Sequence, residues 1–338
     1  MASRIETWSV KAFNTAKQSE NKMHDDSVAQ RFGFSGGLVP GVDVMAYMMH
    51  QPVAKWGRAF LERGLIEARF LKPVYDGETV NVTAEEKDGV LSLAVESGGQ
   101  LRATGSASLS AKALPLPVDD FVATPPVPQR RPVDAASYEV GKWLGTEPRS
   151  WPNEAAMQYL ADVRETDPIY VHQQLGHPGL LQRIMNKVLV DNAILGPWIH
   201  VGSRMQLLKA AQVGDELVAR AKVTANYEKK GHRFVERDAL MVANGRTPVA
   251  HCQHVAIYQP REAAGRSQCA GNARLRCGRW RPSARPVRRS GGLFSRNSRS
   301  PSPAPPVDRR PAPPSTAASC CRRESTGRGR RCRPAPCS

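Results

Sequence analysis

The sequence predicts an α+β protein made of two copies of one unit, each a long apolar helix followed by antiparallel strands. Three observations lead there. Residues 70–80 align with 207–217 at an offset of 137, and Val39-Pro40-Gly41-Val42 aligns with His177-Pro178-Gly179-Leu180 at an offset of 138. Two ungapped matches at nearly one offset indicate internal duplication. Each Pro-Gly pair opens a run with helical spacing, and each run leads into strictly alternating apolar residues.

In the first unit Val42, Met45, Met49 and Val53 recur at helical spacing, which predicts a helix over about residues 40–62. Pro40 suits the first helical turn, whereas Pro52 is expected to end or kink the helix. Val80, Val82 and Ala84 alternate as strand residues do, and so do Leu101, Ala103, Gly105, Ala107 and Leu109. Asp76-Gly77 and Asp88-Gly89 are turn dipeptides. In the second unit a short helix is expected over 154–164. A longer one over about 178–195 follows from Leu181, Ile184, Met185, Val188, Leu189 and Asn192, stopped at Gly196-Pro197. Leu217, Ala219, Ala221 and Val223 then give the strand that answers Val80–Ala84. Methionines 45, 48, 49, 185 and 205 read as core filling.

The expected organisation is a first unit over 1–112, a proline-rich linker over 113–133, a second unit over 134–260 and a disordered tail over 261–338. The tail holds 19 arginines, no lysine and 3 acids, so it carries +16 of the formal +17 and leaves the body near neutral. It also holds six of the seven cysteines and eleven prolines, with almost no apolar periodicity. Such a segment cannot bury enough surface to offset its ordering entropy. Three readings of it stand: an arginine-rich arm for nucleic acid, a solvated spacer, or a non-native stretch from a GC-rich gene read in the wrong frame. The cysteines lack metal-ligand spacing, and nucleic-acid binding is not expected of the body. The body shows no signal segment and no apolar run long enough to span a bilayer, so a cytoplasmic protein without membrane partners is expected. No nucleotide loop or metal-ligand set appears, and neither cofactor nor metal is expected.

A polar stretch ending in His24 leads to the glycine-rich turn Gly36-Gly37-Leu38-Val39-Pro40-Gly41, which opens the first helix. Free N–H groups of a first helical turn form a partial positive charge that suits a carbonyl oxygen or oxyanion. His24 would stand beside it as a proton-transfer group, or would simply close the loop beside Asp25 and Asp26. Asp43, in the first turn, reads as a solvated acid complementing the helix dipole, or as a helix carboxylate of the kind some thioesterases use. The basic segment 226–233 reads as a hairpin tip, solvated or facing a phosphate.

One helix wrapped by a curved antiparallel sheet resembles the hotdog fold, and two such units resemble a double hotdog, with two sheets joined edge to edge over paired helices. The residues around His24 and Pro40-Gly41, with residues 68–80 after the helix, resemble the MaoC-like dehydratase and (R)-specific enoyl-CoA hydratase family. The likeness is stronger over about 14–110 than over 150–258. It implies a hydratase or dehydratase acting on an acyl-CoA or acyl-carrier-protein thioester, with homodimers among its arrangements. His24 matches the family's histidine, Asn21 its asparagine and Gly41 its helix-opening glycine, while Ser19 stands where the family has an aspartate. In the second unit Glu165 occupies the aspartate position and Tyr170 the histidine position, so each unit holds half of the acid/base pair. His177 precedes the second helix one residue before the family's helix-opening histidine position. Glu20, Asp25 and Asp26 are candidates for the missing carboxylate. The two incomplete motifs also fit a non-enzymatic acyl-CoA-binding protein, and a hotdog thioesterase is a further alternative.

Overall fold

A computed structural model describes residues 3–111 and 116–262; the tail expected over 261–338 lies outside them apart from Arg261 and Glu262. The first half contributes β1 (Ser3–Arg4), β2 (Trp8–Lys11), α1 (Asp26–Arg31), α2 (Gly41–Trp56), α3 (Arg58–Arg63), β3 (Gly64–Phe70), β4 (Thr79–Lys87), β5 (Val90–Ser97) and β6 (Gln100–Leu109). The second contributes β7 (Trp143–Gly145), β8 (Arg149–Ser150), α4 (Asn153–Asp162), α5 (Ile169–His172), α6 (Pro178–Asn192), β9 (Ile199–Leu207), β10 (Glu216–Lys229), β11 (His232–Ala243) and β12 (Thr247–Gln259). The duplication is structural: α2 answers α6, and β4 begins 137 residues before β10.

The strands form one sheet in the order β1-β4-β5-β6-β3-β9-β12-β11-β10-β7, with β2 on β4 and β8 on β10. Its seam is the antiparallel pair β3–β9, registered from Leu65↔Gln206 to Arg69↔Gly202. Val80, Val82 and Ala84 are buried on the inner face, and so are Leu217, Ala219, Ala221 and Val223. Those faces close over α2 and α6, which pack against each other in opposite directions: Asp43 meets Arg183, Met45 meets Gln182, and Ala46 lies over Gly179. A Cβ on Gly179 would stand 2.7 Å from that of Ala46, so the glycine sets how closely the helices approach.

Two expectations need correction. Pro52 neither ends nor splits the first helix. α2 runs through it to Trp56, because burial of Met48, Met49, Pro52 and Val53 offsets the one backbone hydrogen bond that proline removes. The break comes at Gly57, whose φ of +51° releases the chain into α3. The second correction concerns β6, where alternation fails at Leu101, which is 39% exposed. A bulge opposite Val95 and Glu96 inserts one extra residue and turns Arg102 inward, onto Glu78 at 3.0 Å.

Residues 116–121 lie on the outer face of the second half, where Phe121 packs with Leu240 and Val242. Among the described residues no helix is long and apolar enough to cross a membrane.

Candidate active site

His24 ends a short 3-10 turn, Lys22–His24, capped by the Asn21 side chain. Its Nδ1 lies 2.6 Å from the Leu38 carbonyl, which can only accept, so Nδ1 carries the proton and Nε2 is the lone-pair nitrogen. Nε2 faces Asn21 Nδ2 at 3.1 Å. The orientation of Asn21 follows from its other partners. Its Oδ1 accepts from the N–H groups of Met23 and Trp198, each at 3.1 Å, and its Nδ2 donates to the Trp198 carbonyl at 3.0 Å. Asn21 therefore ties the turn to the strand-entry segment of the second half and pins the imidazole. Burial lowers the His24 pKa below its ordinary value, against the Leu38 hydrogen bond and the charge of Asp43, so the ring is a neutral acceptor at pH 7.

Beside it, Gly41 opens α2 after Pro40, and the first N–H groups of that helix have no intrahelical acceptor. Two cavities meet at this point. One, of about 210 Å³, is walled by apolar side chains such as Met23, Phe34, Val44, Phe70 and Ile257, with His24, Gly41 and His200 among its lining. The other, of about 490 Å³, is polar and includes Ser19, Glu20, Arg130, Arg183 and Lys187. Both are lined by Asn21, His24, Pro40, Asn186 and Trp198, so His24 stands at the junction of an apolar chamber and a polar mouth. The mouth's three cations each have an acid: Arg130 with Glu20 at 2.8 Å, Arg183 with Asp43 at 2.8 Å, and Lys187 with Asp191 at 3.1 Å.

None of the acids near the motif takes the place left by the missing aspartate. Ser19 donates to the Asn21 carbonyl at 3.3 Å in the wall of the mouth. Glu20 is held by Arg130, Asp25 caps α1 through the Val28 N–H, and Asp26 accepts from the Gly37 N–H at 2.7 Å. Asp43 is not a solvated first-turn acid. It is completely buried, accepting from Thr15 Oγ1 at 2.6 Å and from Arg183, because α6 crosses α2 at this level and brings its arginine down onto it.

Glu165 and Tyr170 line neither cavity. Glu165 accepts from His50 Nδ1 at 2.9 Å and from the N–H groups of Thr166 and Asp167, with His177 Nε2 at 3.7 Å. His50 and His177 hold its carboxyl far below the usual range despite burial. His50 is nine residues along α2 from Gly41, which sets the two places about 13 Å apart at 1.5 Å per residue. Tyr170 is buried, with its hydroxyl lacking a partner among the described residues and its ring 4.9 Å from that of His177. His177 caps α6, accepting from the Gly179 N–H at 3.0 Å. At this second helix start the Tyr159 hydroxyl and Ala46 press on Gly179, where His200 stands over Gly41 at the first. The hairpin of β10 and β11 turns at Lys230 and Gly231, and Asn226 holds its base by bonding the Tyr138 carbonyl and the Tyr258 hydroxyl.

Three residues of the cleft were not anticipated from sequence. Asn186 and Trp198 line both cavities, and His200 stands against Gly41. All come from the second half, and no local pattern marks them.

No protein-family model matches the chain, and no curated protein resembles it in sequence. Solved structures do match. A MaoC domain protein from Chloroflexus aurantiacus superposes with a TM-score of 0.54 at 12% identity, over 76% of this chain and 95% of that one. Rv0216, a conserved hypothetical protein from Mycobacterium tuberculosis with a double hotdog fold, superposes with a TM-score of 0.51 at 13% identity, over 75% and 95%. The chain has the double hotdog fold. In this double hotdog the first half's helix terminus lines a cleft, and at the second half's the Tyr159 hydroxyl and Ala46 stand over Gly179.

Proposed function

We propose that the cleft binds an acyl thioester and that the protein is a hydratase or dehydratase of the MaoC-like type. The observation that carries this reading is the meeting of an apolar chamber, a polar mouth, a neutral imidazole and an open helix terminus at one point. The acyl chain fits the apolar chamber, and the pantetheine arm of CoA or a carrier protein fits the mouth. The thioester oxygen would accept from the first-turn N–H groups at Gly41. As water adds at the β-carbon, the π pair moves toward the α-carbon and the carbonyl oxygen. His24 Nε2 takes the water proton and returns it to the α-carbon, so that H and OH add in sum. No cofactor enters this scheme, and a cytoplasmic protein that pairs with a second copy goes with it.

One specific arrangement favours a second reading, a thioester-binding protein without turnover. Ser19 cannot serve as a base near neutral pH, and the Nε2 lone pair of His24 is already engaged by Asn21. A panel of enoyl-CoA and acyl-CoA thioesters decides between the two. The enzyme reading expects hydration that falls by roughly 10²–10⁴ in His24→Ala and rises in Ser19→Asp. Binding without turnover would establish the module, and hydrolysis of saturated acyl-CoA would establish a thioesterase.

A further inference from the structure

The apolar chamber is lined by a buried polar side chain that the scheme above leaves idle, His200. His200 is 6% exposed and its Nδ1 has no hydrogen-bond partner among the described residues. That nitrogen lies 2.9 Å from where a Cβ on Gly41 would stand, so it faces the first turn of α2. Glycine is needed at position 41 because the imidazole occupies that space. Its other nitrogen, Nε2, meets Ser203 Oγ at 2.8 Å, and Ser203 Oγ meets His254 Nδ1 at 3.0 Å. The two imidazoles are stacked with centroids 4.0 Å apart. His254 in turn pairs across the sheet with Arg237, which is 1% exposed and has Nε and Nη2 without partners among the described residues.

Resting on the thioester reading, we propose that His200 donates a hydrogen bond from Nδ1 to the thioester carbonyl oxygen beside the Gly41 N–H, and that Ser203 and His254 are positioning residues that keep the proton on that nitrogen. A serine hydroxyl has one proton to give, so with that proton placed between the two rings the chain of three groups has two arrangements. In one, Ser203 donates to His200 Nε2 and accepts from His254 Nδ1–H, which leaves the His200 proton on Nδ1 and a lone pair on His254 Nε2. The other reverses every bond. The first suits the surroundings at both ends. A carbonyl oxygen over Gly41 only accepts, and a lone pair on His254 is favoured in the field of the Arg237 guanidinium. Burial holds both imidazoles well below their ordinary pKa, joined by Arg237 at His200 and by His200 and Arg237 at His254, so His200 acts as a neutral donor. A fixed neutral N–H in a water-excluded chamber stabilises a developing enolate oxygen without any reorganisation.

The proton position is measurable in the free protein. Histidine ¹⁵N shifts should show His200 and His254 neutral at pH 7, each protonated on Nδ1; an Nε2–H tautomer for His200 in the thioester complex would overturn the proposal. With an enoyl-CoA, His200→Phe keeps the ring packing and removes the donor. Its kcat should fall by about 10²–10³, the usual loss for one oxyanion donor, with KM changing far less. His200→Gln, which restores an N–H, should recover part of that loss, and Ser203→Ala should lie between. A ¹³C label on the thioester carbonyl, read on His24→Ala so that turnover is slowed, should move downfield on binding and lose that shift when His200→Phe is added. A folded His200→Phe with full kcat and an unchanged carbonyl shift overturns this inference and leaves the thioester reading standing. A wild-type protein that binds no thioester overturns both.

Discussion

A histidine serves as a base only where its lone pair is available, and at His24 two hydrogen bonds decide that. The Leu38 carbonyl fixes the proton on Nδ1, the Asn21 amide meets the lone pair on Nε2, and burial keeps the ring from taking a second proton. The acid limb of kcat/KM should therefore lie below pH 6.5, the ordinary histidine value, and vanish in His24→Ala. A limb at or above 6.5 would mean that His24 is solvated and held elsewhere. Asp43 matters differently. Its carboxylate is fully buried and compensated by Arg183 and Thr15, so Asp43→Ala removes two charge-assisted hydrogen bonds, leaves Arg183 with Asp162 at 3.8 Å and should cost about 2 kcal/mol. Arg58→Ala removes an exposed helical pair with Glu62 and should cost about 0.5 kcal/mol or less, which makes it the control in denaturant titration.

Among the elements, those set by periodicity were legible in the sequence. The inner faces of β4 and β10 carry the alternating residues expected of them, and α6 spans the run from Pro178 to Asn192 that helical spacing marks out. Where tertiary packing overrides local preference, the sequence misleads: Pro52 sits inside α2, and the bulge in β6 trades Leu101 for Arg102. The site divides in the same way. His24, Asn21 and Gly41 lie close together in the chain and form a recognisable motif. Asn186, Trp198 and His200 arrive through the β3–β9 seam and the α2–α6 crossing, which no short pattern encodes. Glycines carry part of the missing signal, since each bare Cα at a helix start reports what presses on it. Gly179→Ala tests that at the crossing. The added methyl meets Ala46 and the Tyr159 hydroxyl, so α2 and α6 must separate, at a cost of roughly 1–3 kcal/mol for overpacking. A melting temperature equal to wild type would show that the crossing is slack.

Across the described residues the two halves share one sheet, continuous at its seam, and the cleft takes His24 from one half and His200 from the other. This arrangement buries the His200 and His254 imidazoles and half-buries that of His24, and in each of these three burial is the main force pulling the pKa down. The consequence for stability has a definite sign. Below pH 6.5 the unfolded chain protonates these rings while the folded one does not, so the unfolded state binds more protons and stability falls as pH falls. Their contribution is complete above 6.5 and is lost on the acid side, at up to about 1.4 kcal/mol per pH unit for each ring. The depressed carboxyl of Glu165 works in a lower window. Its contribution is present above about 4.5, the ordinary glutamate value, and is lost only further down, so it does not mask the histidines. Urea unfolding between pH 7 and 5 should therefore show a midpoint that drops steeply, and His254→Phe should make the drop shallower by removing one ring from the balance. A midpoint flat across that range would mean that the buried rings take up protons in the folded state, and with that the neutral acceptor at His24 and the neutral donor at His200 would both be lost.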